Sequence, residues 1–542
     1  MLPIHTHSYY SLLCGSSSID DLLNRAVEYK LNSLTLTDTN GMYGLIEFYK
    51  KAKGSNIKPI LGSLITDANF KDGYAIFLAK NIEGYKDLCS IITAKKLDEK
   101  FNLSDTLKKF YPNLIIITTD IYLLNIINPK NTFFAEIIFT KKRLNKSKLL
   151  LEYVKQKNIN VVASNPIYFL SKEDYVVHKL LRAIDENTTI ENLKEDDLAD
   201  EEFYFKHPDE IRKIYNQLPD LIDHSELIVK QCNIELELGK YNFPSYPNAH
   251  PDSYTFFYKI VYDGFERKYH KPTQKHRDRL QYEIDVISSL NFIDYFLIVW
   301  DIVQEAKRRG MLYIGRGSAA NSMVAYCLDL TQIEPVSNNL YFERFLNRAR
   351  SSPPDVDIDF SWKERDEIIK YIFEKYGYEN VAMISTHVTF RARSAFRETA
   401  KAFGISESEI STYSRKIPWT NAKNLSNIAS LFPESKSLDF RKEPWKTIVN
   451  LATRIANYPR HLSIHPGGIV ITPSKVTDYC ALEYAKNKGL GLIITQPDMY
   501  SIEELGLIKI DLLSQRSLGV LRDTMKTIKE KTNHNSFRSK KT

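Results

Sequence analysis

The sequence is short of cysteine, of long apolar runs and of any strong excess of one charge. Its five cysteines, Cys14, Cys89, Cys232, Cys327 and Cys480, are scattered through 542 residues. They make neither a zinc cluster nor a disulfide framework, which is the usage expected in a reducing cytoplasm. No run of about 18 apolar residues occurs, so no membrane-spanning helix and no membrane partner are expected. The nearest approach, 114–127, is broken by Thr118, Thr119 and Asp120. The opening MLPIHTHSYY lacks a basic stretch followed by an apolar one and does not read as a secretory signal. Lys and Arg number 74 against 67 Asp and Glu, a formal charge of +7. That mild excess permits a nucleic-acid partner without requiring one. What is present is ordinary: 43% hydrophobic and 26% charged residues exclude a disordered chain. The length points to about three or four domains.

Residues 1–238 alternate short β-rich runs (31–38, 57–65, 74–80, 113–119 and 158–165) with amphipathic helical patterns such as 18–30 and 42–54. Such alternation predicts a parallel α/β sheet or barrel, whose sites lie at the C-terminal strand ends. Here those ends carry His5, His7, Asp38 and Asn165. Residues 239–275, with YNFPSYPNAHPDSY and no clear period, read as a linker. A strongly helical region follows over 277–310. Strand and helix mix over 311–400, 401–458 is mainly helical and basic, and 464–473 and 491–513 return to short apolar strands. The polar tail 529–542 is expected to fray.

The motifs that carry chemistry lie in the second half. In SSPPDVDIDF (351–360), Asp355, Asp357 and Asp359 alternate with Val356 and Ile358. In a strand all three carboxylates share one face. Like charges so placed repel. A divalent cation bound by oxygen ligands relieves that repulsion; the bland reading is a solvated acidic edge strand. YIGRGSAANSMVAYCLDL (313–330) runs from a strand into Gly315-Arg316-Gly317-Ser318 and a small-residue helix start. Glycine backbone and a helix N-terminus suit a phosphate, although short Gly-Ser turns are common. In LGLIKIDLLSQRSL (505–518), Lys509 and Asp511 alternate with apolar residues, and a lone Asp there is costly to bury unless paired or bound to metal. A strand-end Asp capping the next turn is the alternative. PRHLSIHPGGIVITP (459–473) brings Arg460, His461 and His465 before Gly467-Gly468; Pro466 and the glycines argue for a loop, with nucleic-acid contact or plain loop structure preferred over metal.

In order and spacing, these motifs resemble the bacterial C-family polymerases, the DNA polymerase III alpha subunits. The resemblance covers nearly the whole chain, including HTHSYYSLL (5–13), TDTNGMYGLIEFYKKAKGSNIKPILG (37–62), FIDYFLIVWDIV (292–303), GRGSAANSMVAY (315–326), PDVDIDF (354–360), HPGGIVITP (465–473) and LGLIKIDLL (505–513). PRHLSIHPGG is closer to the error-prone branch. The resemblance implies a multidomain α/β and α+β protein. A PHP-type distorted (β/α) barrel over 1–238 would be followed by a nucleotidyltransferase-like (Pol β-type) palm over 276–405 and 459–528, with a helical thumb inserted at 406–458. It implies two Mg²⁺ ions held by Asp357, Asp359 and Asp511, with Asp355 in support. Gly317, Ser318, Arg316 and Lys509 would meet the nucleotide phosphates, and Arg391, Arg393 and Arg397 would face nucleotide or template, a solvated basic helix face being the alternative. The implied partners are primer–template DNA, a dNTP and other polymerase III holoenzyme subunits or a second polymerase fragment.

The N-terminal part departs from active PHP domains. His5 and His7 match the first motif, but Cys14 stands at an acidic position, Thr37-Asp38-Thr39 replaces TDH, Ser63 or Leu64 falls where an acidic residue is expected, and Asn165-Pro166-Ile167-Tyr168 replaces NDVH. A structural, metal-free PHP domain with His5 and His7 as remnants is therefore expected, and a PHP nuclease is disfavoured. Few residues follow Asp511, so the fingers and later regions of the family are expected to be absent and synthesis by this chain alone incomplete. The rival reading is a non-catalytic DNA-binding or assembly remnant of a split or truncated polymerase.

Overall fold

The computed structural model describes residues 3–67, 73–349, 353–354, 356–485 and 492–538. The first 240 residues form a six-stranded curled sheet: β1 (Ser33–Leu36), β2 (Lys58–Thr66), β3 (Tyr74–Ala79), β4 (Leu114–Thr118), β5 (Thr132–Ile137) and β6 (Val161–Ala163), ordered as in the sequence. β1/β2, β4/β5 and β5/β6 are parallel, whereas β3 runs antiparallel to both neighbours. That reversal distorts the barrel. The segment around Thr6 closes it: Thr37 N–H donates to Thr6 O at 2.8 Å, His7 N–H to Ile167 O at 2.8 Å and Ile167 N–H to His5 O at 3.0 Å. β4 is buried along its whole length, as its unbroken apolar run requires. The flanking helices are amphipathic. In Ile19–Glu28, capped by Ser18, the buried residues are Ile19, Leu22, Leu23 and Ala26, one helical stripe.

The second half is built on a seven-stranded mixed sheet, with β7 (Tyr313–Arg316), β8 (Asp357–Ser361), β9 (Val381–Thr389), β10 (Pro459–Ile471), β11 (Leu482–Tyr484), β12 (Ile493–Asp498) and β13 (Lys509–Gln515) in the order β11-β12-β9-β10-β13-β8-β7. Helices Gln274–Ser289, Ile293–Arg308 and Arg365–Tyr376 share one apolar core with it. Residues 392–458, between β9 and β10, are helical with their own core around Phe396, Trp445 and Ile448. The curled sheet is welded to the mixed one: Gln496 Oε1 accepts from Met42 N–H at 2.9 Å and Tyr43 donates to Glu483 at 2.7 Å. Among the described residues no single helix is long and apolar enough to cross a membrane.

Three expectations are corrected. The span 239–275 is not all linker, because Ser253–Lys268 is a helix. Pro244, Pro247 and Pro251 precede it and Pro272 follows it, Asp252 caps it through Thr255 N–H at 2.8 Å, and Phe257, Val261, Gly264 and Phe265 are buried. PRHLSIHPGG is strand, not loop. β10 carries an irregularity between Ile464 and Ile469 that accommodates Pro466. Gly467 and Gly468 serve close approach: a Cβ would lie 2.6 Å from a Leu513 methyl at the first and 2.8 Å from His465 Nδ1 at the second. The polar tail is helical through Arg538 within the helix Arg516–Arg538, since 529–538 holds no proline or glycine to stop it.

A Cβ on Gly264 would meet the Cys327 carbonyl oxygen at 2.1 Å. Gly264→Ala is expected to destabilise this layer by about 1–3 kcal/mol, read as a lowered midpoint in chemical denaturation.

Candidate active site

β7, β8, β13 and β10 lie side by side, and their registers align Arg316, Asp357, Asp511 and Gly468 in one row. Adjacent strands are about 4.8 Å apart, so Asp357 and Asp511 are direct neighbours on parallel strands. Asp359, two residues along β8, shares their face. Ile358, Phe360, Ile510 and Leu512 are buried behind them. The alternation seen in the sequence thus puts the carboxylates on one face and the apolar residues in the core. Asp355 lies outside the described residues.

Two cations lie among the carboxylates. Arg316 Nε is 3.3 Å from Asp359 and 3.8 Å from Asp357, and Lys509 Nζ is 2.8 Å from Asp511 Oδ2. Asp359 and Asp511 are buried, and an Oδ1 oxygen of each has no hydrogen-bond partner. Burial raises the Asp359 carboxyl above its usual range, against the pull of Arg316. His465 Nδ1 accepts the Gly468 N–H at 2.7 Å and lies 3.8 Å from Asp511 Oδ1. Burial holds its ring below the ordinary histidine range, with Lys509 adding to the effect and Asp511 opposing it. Among the described residues no three His, Cys, Asp or Glu side chains already converge as a metal cage. The donor set is nonetheless all oxygen, and two buried oxygens lack a hydrogen-bonded proton, which fits a hard cation in exchange for Arg316 and Lys509.

The GRGS turn stands over this row. Gly317 has φ +73°, and a Cβ there would lie 3.6 Å from Asp357 Oδ2. Gly315 is packed so closely that a Cβ would sit 1.6 Å from Leu330 O. Ser318 follows in a half-exposed helical turn, Gly317–Asn321. Sequence reasoning missed what fixes this segment. Buried Glu283 accepts from Ser322 Oγ at 2.7 Å and Val324 N–H at 3.1 Å, while Arg279 pairs with Glu283 at 2.6 Å and donates to Asn321 O at 3.0 Å. Burial raises the Glu283 carboxyl, and Arg279 opposes that rise. Its signal was a Glu on the apolar side of a helical pattern with Arg four residues before it.

The three arginines of 391–397 are not equivalent. Arg391 is exposed at the start of the helix Ala392–Ala402, with one long bond to Asn457 at 3.4 Å. Arg393 donates to Ile417 O at 3.1 and 2.6 Å, and Arg397 pairs with Glu407 and reaches Ser414 at 3.3 Å. These two guanidiniums tie the inserted helices together.

In the curled sheet, His5 and His7 do come together. His5 Nδ1 is 2.8 Å from Glu136 and its Nε2 2.9 Å from His7 Nε2; His7 Nδ1 is 2.9 Å from Ser11 Oγ, and its ring stacks on Tyr168 with centroids 4.0 Å apart. Every ring nitrogen of the pair has a partner in the chain. Asp38 accepts from Ser8 N–H, Ser8 Oγ and Ser11 Oγ at 2.7–2.8 Å, and burial pushes its carboxyl up to about 7 despite those bonds. Glu136 was not read from the sequence, although a lone acid in the buried run TFFAEI is such a signal. Burial pushes Glu136 up, but the His5 charge and hydrogen bonds outweigh it and hold it low.

Residues 255–514 match the family described as bacterial DNA polymerase III alpha NTPase domain, and residues 3–123 match the PHP domain. The chain is 32% identical over 559 residues to the DNA polymerase III subunit alpha of Bacillus subtilis, covering 98% of this chain and 50% of the relative. It is 30% identical over 573 residues to the error-prone DNA polymerase of Symbiobacterium thermophilum (97% and 52%). It is also 30% identical over 583 residues to the DNA polymerase III subunit alpha of Buchnera aphidicola subsp. Acyrthosiphon pisum (99% and 50%). The chain spans about half the length of these curated relatives.

His178, buried beside the His5–His7 cluster, donates from Nδ1 to Cys14 O at 2.8 Å and accepts the Ala199 N–H at Nε2 at 2.9 Å. Both bonds need a neutral ring, and burial lowers its pKa to about 4. The unfolded chain therefore binds this proton first, and stability falls as pH drops from about 6.5 towards 4, by roughly 3 kcal/mol in all. Denaturation midpoints across that window should show a steeper loss in wild type than in His178→Gln.

Proposed function

We propose that this chain, similar along nearly its whole length to bacterial DNA polymerase III alpha subunits, belongs with them and carries a two-magnesium nucleotidyl-transfer centre, adding dNTPs to a primer 3′-hydroxyl in replication or repair synthesis. The observation that carries the reading is the row of Asp357, Asp359 and Asp511 on one sheet face, with two buried oxygens lacking a hydrogen-bonded proton. Those three carboxylates would hold the Mg²⁺ ions. When bound, Mg²⁺ supplies positive charge to the attacking and leaving oxygens of the transfer.

The chain's own groups divide the remaining work. Gly317 leaves its backbone open beside Asp357, so a triphosphate can approach closely with Ser318 as a hydroxyl donor. Arg316 and Lys509 neutralise the carboxylates in the free site and turn to the phosphates in the loaded one. Glu283 and Arg279 hold the loop so that its geometry is fixed before the substrate arrives. Arg391 faces the DNA backbone, and the helices of 406–458 act as the thumb. The palm spans 276–405 and 459–528 in this reading. Partners are primer–template DNA, dNTP and further polymerase subunits, in the cytoplasm. The N-terminal barrel serves as a metal-free PHP scaffold, a role supported by the internal partners of His5 and His7.

The cations already seated among the carboxylates favour one rival, a DNA-binding remnant without catalysis. Primer extension by the full chain with Mg²⁺ separates the two. Asp357→Asn and Asp511→Asn should each lower extension about a hundredfold or more; extension that survives both would sink the assignment, and DNA binding without extension in wild type would favour the remnant. Metal analysis of the purified chain should find no stoichiometric Zn²⁺ or Mn²⁺, and finding either would overturn the scaffold role of the barrel.

A further inference from the structure

The helical insertion displays one aromatic side chain for which the fold has no internal use. Trp419 lies between the helix Glu407–Ser414 and the turn Ala422–Asn427. It is 88% exposed, more than any other exposed large hydrophobic among the described residues. Burying a large apolar side chain contributes roughly 2–3 kcal/mol, which this position forgoes.

The loop that holds it is nevertheless tied down on both sides. Arg393 grips Ile417 O through two bonds, Ser435 Oγ donates to Lys416 O at 2.7 Å, Ala392 N–H donates to Thr420 O at 3.0 Å and Asn421 Nδ2 donates to Asn457 Oδ1 at 2.9 Å. A rigidly presented aromatic loses little freedom on binding, which favours a contact role.

The surroundings select the partner. Residues 410–433 contain Arg415, Lys416 and Lys423 and no Asp or Glu. These three cations and Arg391 are exposed. Along 389–430 Trp419 is the one exposed large hydrophobic among the described residues, with Val388 and Leu431 exposed just outside that stretch, so its near neighbours in sequence are cations rather than apolar side chains. A lone aromatic among cations suits a polynucleotide, with phosphates for the charges and a flat base or sugar face for the ring. An anchor for a protein partner would be expected within a wider apolar surface.

Place agrees with charge. The β9–β10 ribbon continues through Phe390 and Asn457, which exchange a backbone bond of 3.0 Å, and Asn457 is also the partner of Asn421. The same ribbon holds Gly468 opposite Asp511. Asn457 and Gly468 are eleven positions apart (468 − 457 = 11), at most about 37 Å in extended chain.

We propose that Trp419 is a nucleic-acid contact, its indole packing on a base or sugar face of DNA whose phosphates meet Arg391, Arg415 and Lys423. This deepens the DNA reading of the chain and rests on it. The test is fluorescence anisotropy with the full chain and three labelled DNAs: an oligo-dT strand, a blunt duplex and a primer–template. Trp419→Ala should weaken binding about tenfold on at least one of them without changing the salt slope, because no charge is removed. Trp419→Phe should keep most of the affinity. Lys423→Ala should instead reduce the salt slope by about one. A loss confined to oligo-dT identifies stacking on an unpaired base; a loss on the blunt duplex identifies a groove contact. Wild-type affinity for all three DNAs in Trp419→Ala overturns the inference, leaves the DNA reading standing and points to a protein partner. Failure of wild type to bind any of them overturns both.

Discussion

Crowding of like charge on one sheet face is the constraint around which the second half is arranged. Asp357 and Asp511 sit on adjacent strands and Asp359 two residues along. In water such repulsion is mild, but two of the three are buried, where each uncompensated charge is costly. The fold answers with Arg316 from the edge strand and Lys509 from the strand of Asp511 itself. Arginine reaches them half-exposed from the sheet edge, and lysine from a long stem on the strand itself.

The support around this face is less movable. Glu283 sits under the GRGS segment with no exposure and several hydrogen bonds, so removing it would strand Ser322 and the backbone at Val324. Gly467 and Gly468 let β10 lie against β13 and let the His465 ring fold over its own strand. The site is rigid in backbone and adjustable in side-chain charge.

Much of this was legible in the sequence where a rule is local. The period-two placement of Asp357 and Asp359, the apolar residues flanking Asp511 and the strand–helix alternation of the first 240 residues each follow from nearest-neighbour patterning. What was not legible depends on distant partners. Gly467 and Gly468 resemble a turn until Leu513 is seen against the first and His465 and Ile384 against the second. The proline-rich span hid a helix because its apolar stripe matters only against Cys327 and the neighbouring helices. The internal partners of Arg393 and Arg397, Ile417 O and Glu407, come from outside their own helix and leave no trace in its local pattern. Glu136 shows its place only when the barrel closes and brings His5 to it.

The strand order also has a consequence in time. The curled sheet pairs each strand with its sequence neighbour, so it can assemble as the chain emerges, needing only the Thr6 segment to be captured by Ile167. The carboxylate row cannot. β8 must wait for β13, 154 residues later (511 − 357 = 154), while the whole helical insertion is made in between. Until then β8 is a charged strand with one open edge. Asp357 and Asp359 lie on that strand, and charge on an open strand is the kind of feature that opposes edge-to-edge pairing.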